Sequence, residues 1–279
     1  MSNIFSNDIF KTIAPPSSSM YMLKGVKLPN SHDVYFMAKW HELFQRYQSA
    51  RLFLLKAYDG EWESWFNASE EDDTEKAKSL NDHVSWVYKS ELYEASLINY
   101  NILVDLSWTI TYVSAEFMLY KFDRDGNVIK SESIQGMHSI DEAIDMLRRT
   151  ENGTMAPSAE NNPFEYLKKM APQFEPAIER ITNFWNWFGN TDIRKLYNYI
   201  KHKGKPIYTE LDDNHDFKLI SLIINNEEYP SDIRDVQKRI SVEEGINELI
   251  SFDNDHLYLY LYELIKDLKQ AVNPSPMIM

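Results

Sequence analysis

The sequence predicts a mainly α protein, a helical bundle of long helices with one or two small β-hairpins. Apolar residues recur at three- and four-residue spacings over long stretches, most clearly from Phe36 to Leu55 and from Val84 to Leu106. Glycine and proline are scarce, at 8 and 11 of 279 residues, so few positions break a helix. Asp125-Gly-Asn127 sits between two β-prone runs and gives one strong hairpin signal.

The elements follow in chain order. Residues 1–34 read as an irregular N-terminal segment, with Ala14-Pro-Pro-Ser-Ser-Ser19, Gly25 and Pro29 and no sustained period. From Val34 to Tyr58, Phe36, Trp40, Leu43, Phe44, Tyr47, Arg51, Leu54 and Leu55 mark an amphipathic helix that Asp59-Gly60 ends. Residues 61–75 are acidic and read as a loop. A long helix without Gly or Pro is expected from Thr74 to Val113, followed by the hairpin around Asp125-Gly-Asn127. Ser139-Ile-Asp-Glu142 is a capping box that opens a helix to about Arg149.

The stretch 151–163, with its Gly, Pro and Asn residues, is the linker candidate inside a single domain spanning 35–272. Helical patterns resume over 164–170, 175–188 and 191–203, with Gly189-Asn190 dividing the last two and Gly204 stopping the third. Ile207–Thr209 and Phe217–Ile224 read as short strands. Ser241-Val-Glu-Glu244 is a second capping box, starting a helix to about Val272 that is interrupted at Asp253-Asn-Asp255. Residues 273–279 form a flexible tail.

Composition excludes several classes of chemistry. The absence of cysteine removes disulfides, thiol catalysis and thiolate zinc sites. The seven histidines show no His-x-x-x-His pair, and Asp123-Arg-Asp-Gly-Asn127 lacks the Gly and Glu positions of a calcium loop. No metal or cofactor is expected. No Gly-rich phosphate loop and no Gly-x-Ser-x-Gly elbow occur. No signal peptide or membrane span is read, so a cytoplasmic protein that does not engage a membrane is expected. A net charge of −14 argues against a broad cationic face for duplex nucleic acid.

One segment runs against that charge. Thr191–Lys205 carries five Lys/Arg and His202 against one acid. On a helix Arg194, Asn198 and His202 step by four within an arc of about 80°, and Lys195 shares the His202 face. A cation, an amide and an imidazole on one stripe suit phosphate binding and proton transfer without a metal. Arg194, Asn198 and His202 are therefore the candidate catalytic residues, with Lys195, Tyr197, Lys201 and Lys203 as candidate binding residues. Basic residues in a helix's last turn also favour its macrodipole, and that structural reading stands beside the functional one. The run Phe184-Trp-Asn-Trp-Phe188 reads chiefly as core, with a base-stacking platform as the other reading.

Asn198-Tyr-Ile-Lys-His202-Lys-Gly204, late in a helix of an acidic helical protein, resembles the signature helix of the HEPN (higher eukaryotes and prokaryotes nucleotide-binding) superfamily. The resemblance implies RNA or nucleotide binding, a homodimer that builds one site from two copies, and the metal-independent endoribonuclease activity of toxin–antitoxin or phage-defence systems. His202 would then act as general acid or base, Asn198 would orient, and Arg194 or Lys195 would hold phosphate. That motif places four to six residues between Arg and His. Four intervening residues lead to Tyr197, six to Lys195 and seven to Arg194. Three readings stay open: a cleavage site using Lys195 or Arg194, a nucleotide-binding relative without cleavage, or a coincidence of sequence. The alternative from another class is a non-catalytic helical scaffold that docks a protein partner.

Overall fold

The computed structural model describes residues 9–11, 31–60, 74–115, 119–122, 128–132, 164, 167–168, 171–212, 220–224, 227–231 and 238–272. The molecule is mainly α. Helix α1 spans Ser31–Asp59 and α2 spans Thr74–Ser114, the latter 41 residues and about 60 Å long. A 3₁₀ turn at Pro172–Phe174 leads into α3 (Glu175–Phe188), and α4 follows at Asp192–Lys203. Helix α5 covers Val242–Phe252, a π-helical turn covers Asp253–Leu257, and α6 covers Tyr258–Val272.

Six short strands complete the described chain. Strands β1 (Leu119–Phe122) and β2 (Val128–Glu132) pair antiparallel where the Asp-Gly-Asn signal predicts a hairpin. Strands β4 (Ile220–Ile224) and β5 (Glu227–Ser231) form a second antiparallel pair. Strand β3 (Ile207–Tyr208) pairs in parallel with β6 (Arg239–Ile240), a pairing with no local signal in the sequence. The expected helix over 139–149, the linker 151–163, the acidic run Glu70–Asp73 and the tail 273–279 lie outside the described residues.

Helix α2 is the spine. Helix α1 runs antiparallel to it, tied by Arg46 Nη1 donating to Asn99 Oδ1 at 3.1 Å and Ser96 Oγ donating to the Ala50 carbonyl at 2.9 Å. Further along α2, Trp108 meets Trp185 of α3 edge-on at 4.7 Å, and Ser107 Oγ lies 2.7 Å from the Tyr260 hydroxyl of α6. Helix α5 approaches α2 so closely at Gly245 that a Cβ there would lie 2.5 Å from the Tyr93 ring. That contact explains a glycine inside a helix, where it is otherwise unfavourable.

The core is rich in aromatic rings. Phe188 is fully buried, and Phe184 stacks on Tyr260 at 3.8 Å and on Phe188 at 5.7 Å. The aromatic run of α3 is thus largely core, with Trp187 left at 40% exposure beside His256.

The interruption expected at Asp253-Asn-Asp255 is the π turn. The wider turn admits one more residue, so the helix continues from α5 into α6 while Asp253 points inward. There its carboxylate accepts from Arg51 Nε at 2.7 Å, Arg51 Nη2 at 2.8 Å, the Tyr47 hydroxyl at 2.6 Å and the Tyr100 hydroxyl at 2.6 Å. Arg51 and Asp253 are both wholly buried.

Candidate functional site

Helix α4 carries the candidate residues. Thr191 caps it, its Oγ1 accepting from the Arg194 N–H at 3.3 Å, and Asp192 supplies an acid in the first turn. Lys201, His202 and Lys203 occupy the last turn, and Gly204 ends the helix at φ 109°. Such a positive φ is open to glycine at no steric cost. Ile193 and Leu196 are buried, and these fix which side of α4 faces the bundle.

That packing divides the candidate set. Asn198, Lys195, Lys201, His202 and Lys203 are exposed. Arg194 and Tyr197 lie on the inward edge. The Arg194 side chain is 12% exposed, with Nη1 3.2 Å from Asn101 Oδ1 and 3.3 Å from Asp105 Oδ1 on α2. Its guanidinium carbon sits 5.0 Å from the Trp185 ring centre and 5.1 Å from that of Tyr197. The stripe Arg194–Asn198–His202 therefore begins in a sandwich of rings and carboxylate and ends in solvent. Arg194 is engaged by the fold, and the exposed cations of α4 are lysines.

The electrostatics differ along the helix. Burial holds the Asp105 carboxyl above its ordinary range, an effect that Arg194 and Lys201 partly offset. Burial also raises the Tyr197 hydroxyl, assisted by the negative Asp105. At the outer face Lys195 pairs with Asp192 at 3.8 Å, both well exposed. His202 and Lys203 have no hydrogen-bond or ion-pair partner among the described residues, so their donors point to water. Two clefts, of about 460 and 440 Å³, lie along α2 around Trp86, and neither is lined by a residue of α4.

The exposed set can do limited but definite chemistry. Three ammonium groups can attract phosphate, one carboxamide can hydrogen-bond a sugar or base edge, and one imidazole can carry a proton. Among the described residues no group of three or more His, Asp or Glu is placed to hold a metal ion. The Asp253-x-x-His256 pair illustrates this, since Asp253 turns into the core toward Arg51 while His256 lies against Trp187 at 4.1 Å.

Reasoning from the sequence missed Asn101 and Asp105, which hold Arg194 from about 90 positions earlier in the chain. Asn101 is buried and Asp105 half-buried on α2, and polar side chains set among Leu97, Val104 and Trp108 are the signal that marks them. No protein-family model, curated protein or solved structure matches the chain. Among the described residues no helix is long and apolar enough to cross a membrane.

Proposed function

We propose that the outer face of α4 binds RNA through its phosphates, and that the chain is a HEPN-like protein acting as a homodimer. The observation that carries this reading is the exposure of Lys195, Asn198, Lys201, His202 and Lys203 on one short helix of a chain with net charge −14. A local cationic stripe on an acidic body favours a single strand laid along it, because a duplex would meet the surrounding acids. Lys195, Lys201 and Lys203 hold phosphate oxygens as mobile point charges, and Asn198 offers both a donor and an acceptor.

Where cleavage occurs, the 2′-hydroxyl attacks the adjacent phosphorus and the 5′-oxygen leaves, giving a 2′,3′-cyclic phosphate. Neutral His202 takes the 2′-hydroxyl proton, or its protonated form donates to the departing 5′-oxygen. Arg194 acts through position rather than contact: tied to Asp105 and Asn101, it fixes α4 against α2 and so sets where His202 stands.

The test is a mixed single-stranded RNA pool in excess chelator, comparing wild type, His202→Ala and the Lys195→Ala/Lys201→Ala/Lys203→Ala triple variant. Binding should weaken steeply with salt, and the triple variant should reduce the slope of log K against log salt by about two, at roughly 0.7 per lost phosphate contact. Cyclic phosphate ends that vanish in His202→Ala would make the protein a nuclease. Unchanged affinity in the triple variant would refute the proposal. The scaffold reading is favoured by a separate observation, the exposure of Leu259 at 57% and Tyr262 at 50% on α6. Loss of a co-purifying protein on Leu259→Ser/Tyr262→Ser, with RNA affinity absent throughout, would establish it instead.

A further inference from the structure

Three residues from the start of the chain are bound more than 240 positions downstream. The Asn254 carboxamide on the π turn grips the backbone on both sides of Phe10: its Nδ2 donates to the Ile9 carbonyl at 2.7 Å, and its Oδ1 accepts from the Lys11 N–H at 2.7 Å. Phe10 itself is 5% exposed and lies against the buried Arg51 guanidinium, whose carbon is 4.5 Å from the ring centre. Lys11 Nζ pairs with Asp255. A carboxamide that holds one backbone acceptor and one backbone donor reads the main chain of a peptide whatever its sequence. The ring site and the carboxylate then select an aromatic residue followed by a cation.

The ring site is built to demand an aromatic residue. Arg51 is held flat by Asp253, which takes two of its N–H groups, and by the Tyr47 ring 4.7 Å away. The Phe10 ring lies against the same guanidinium, its centre 4.5 Å from the carbon. Without a ring in that place, water would reach an ion pair whose partners are otherwise wholly buried. An aliphatic side chain would fill space but forgo the cation–π attraction.

We propose that this face of the π turn is a docking site for an aliphatic–Phe–Lys peptide, filled in one molecule by its own Ile9-Phe10-Lys11 and exchangeable with the same segment of a second copy. The sequence between Lys11 and the start of α1 at Ser31 is 19 residues. Fully extended, it reaches about 65 Å, enough to cross to a neighbouring molecule. The bonds are identical in either arrangement, so the balance is set by effective concentration, which favours the molecule's own segment when chains are dilute.

The experiment uses two full-length variants with complementary defects. Phe10→Ala keeps the site and spoils the segment, and Asn254→Ala keeps the segment and spoils the site. A fluorescein-labelled peptide of residues 6–14 should bind Phe10→Ala saturably, at least tenfold more tightly than wild type or Asn254→Ala. Mixing the two variants at high concentration should give a one-to-one heterodimer by sedimentation, beyond anything either forms alone. Trypsin supplies a readout that does not depend on Phe10→Ala folding, because cleavage after Lys11 should be at least tenfold faster in Asn254→Ala than in wild type. No peptide binding, or equal cleavage rates, would overturn the site. Peptide binding with no heterodimer would overturn the second copy as its occupant.

Discussion

At the scale of single residues, the most demanding group in the molecule is Asp253. A lone buried carboxylate is costly, yet this one accepts four hydrogen bonds and faces one guanidinium. Burial accordingly pushes the Tyr47 and Tyr100 hydroxyls well above the ordinary tyrosine value, with the adjacent negative charge adding to it, so both remain donors at any physiological pH. Replacing Asp253 with Asn keeps the shape but leaves the Arg51 charge buried without its counter-ion. Urea unfolding of Asp253→Asn should show a loss of about 3–5 kcal/mol, while Tyr47→Phe and Tyr100→Phe should each lose only about 1 kcal/mol. A loss under 1 kcal/mol for Asp253→Asn would mean that water already reaches the pair.

At the scale of elements, the start of α5 shows how a sequence signal is completed from elsewhere. Ser241 Oγ accepts from the Glu244 N–H at 3.2 Å, as the capping box predicts. The carboxylate at this helix end is Glu210, which accepts from Ser241 Oγ at 2.7 Å and from the Val242 and Glu243 N–H groups at 3.0 and 3.2 Å. Partial burial works against its ionisation, but these bonds outweigh burial and hold Glu210 below its ordinary value of 4.5. A group depressed in this way adds stability above its unfolded value and loses it as pH falls through the folded one. Glu210→Gln should therefore cost about 1 kcal/mol near neutrality, and the gap from wild type should close as pH drops below 4.5. A gap constant from pH 7 to pH 3 would contradict the assignment.

The same element shows what was legible in advance. Helices α3 and α4, the Gly189-Asn190 break and the Gly204 stop follow from periodicity and turn chemistry, which are local. The irregularity at Asp253 was readable as a break, but its form as a π turn depends on Arg51, Tyr47 and Tyr100, which lie far away in sequence. For the candidate site, the spacing placed Arg194, Asn198 and His202 on one stripe and gave the helix its boundaries. It did not show that the stripe tilts into the bundle at Arg194, because that depends on Asp105 and Trp185 from other helices.

At the scale of the whole molecule, charge and architecture meet. A net charge of −14 repels itself, and no local pairing on the described surface removes that excess. Raising the ionic strength from 0.01 M to 0.15 M shortens the screening length from about 30 Å to about 8 Å. Thermal unfolding should then move to higher temperature, whereas RNA affinity at α4 should fall over the same range. Opposite signs would separate the repulsive body from its cationic helix, and a Tm that drops with added salt would show that favourable ion pairs dominate instead.

The ion pair between α1 and the π turn also sets a timetable. Arg51 and Asp253 are 202 residues apart, so on a ribosome adding about 5–20 residues per second the arginine waits roughly 10–40 s for its counter-ion to be made. Throughout that interval α1 and α2 can pair, but the bundle around Arg51 stays open and wet. Closure comes only when the π turn has emerged and brings Asp253 to an arginine already in place. A chain that stops short of the π turn leaves Arg51 without its counter-ion.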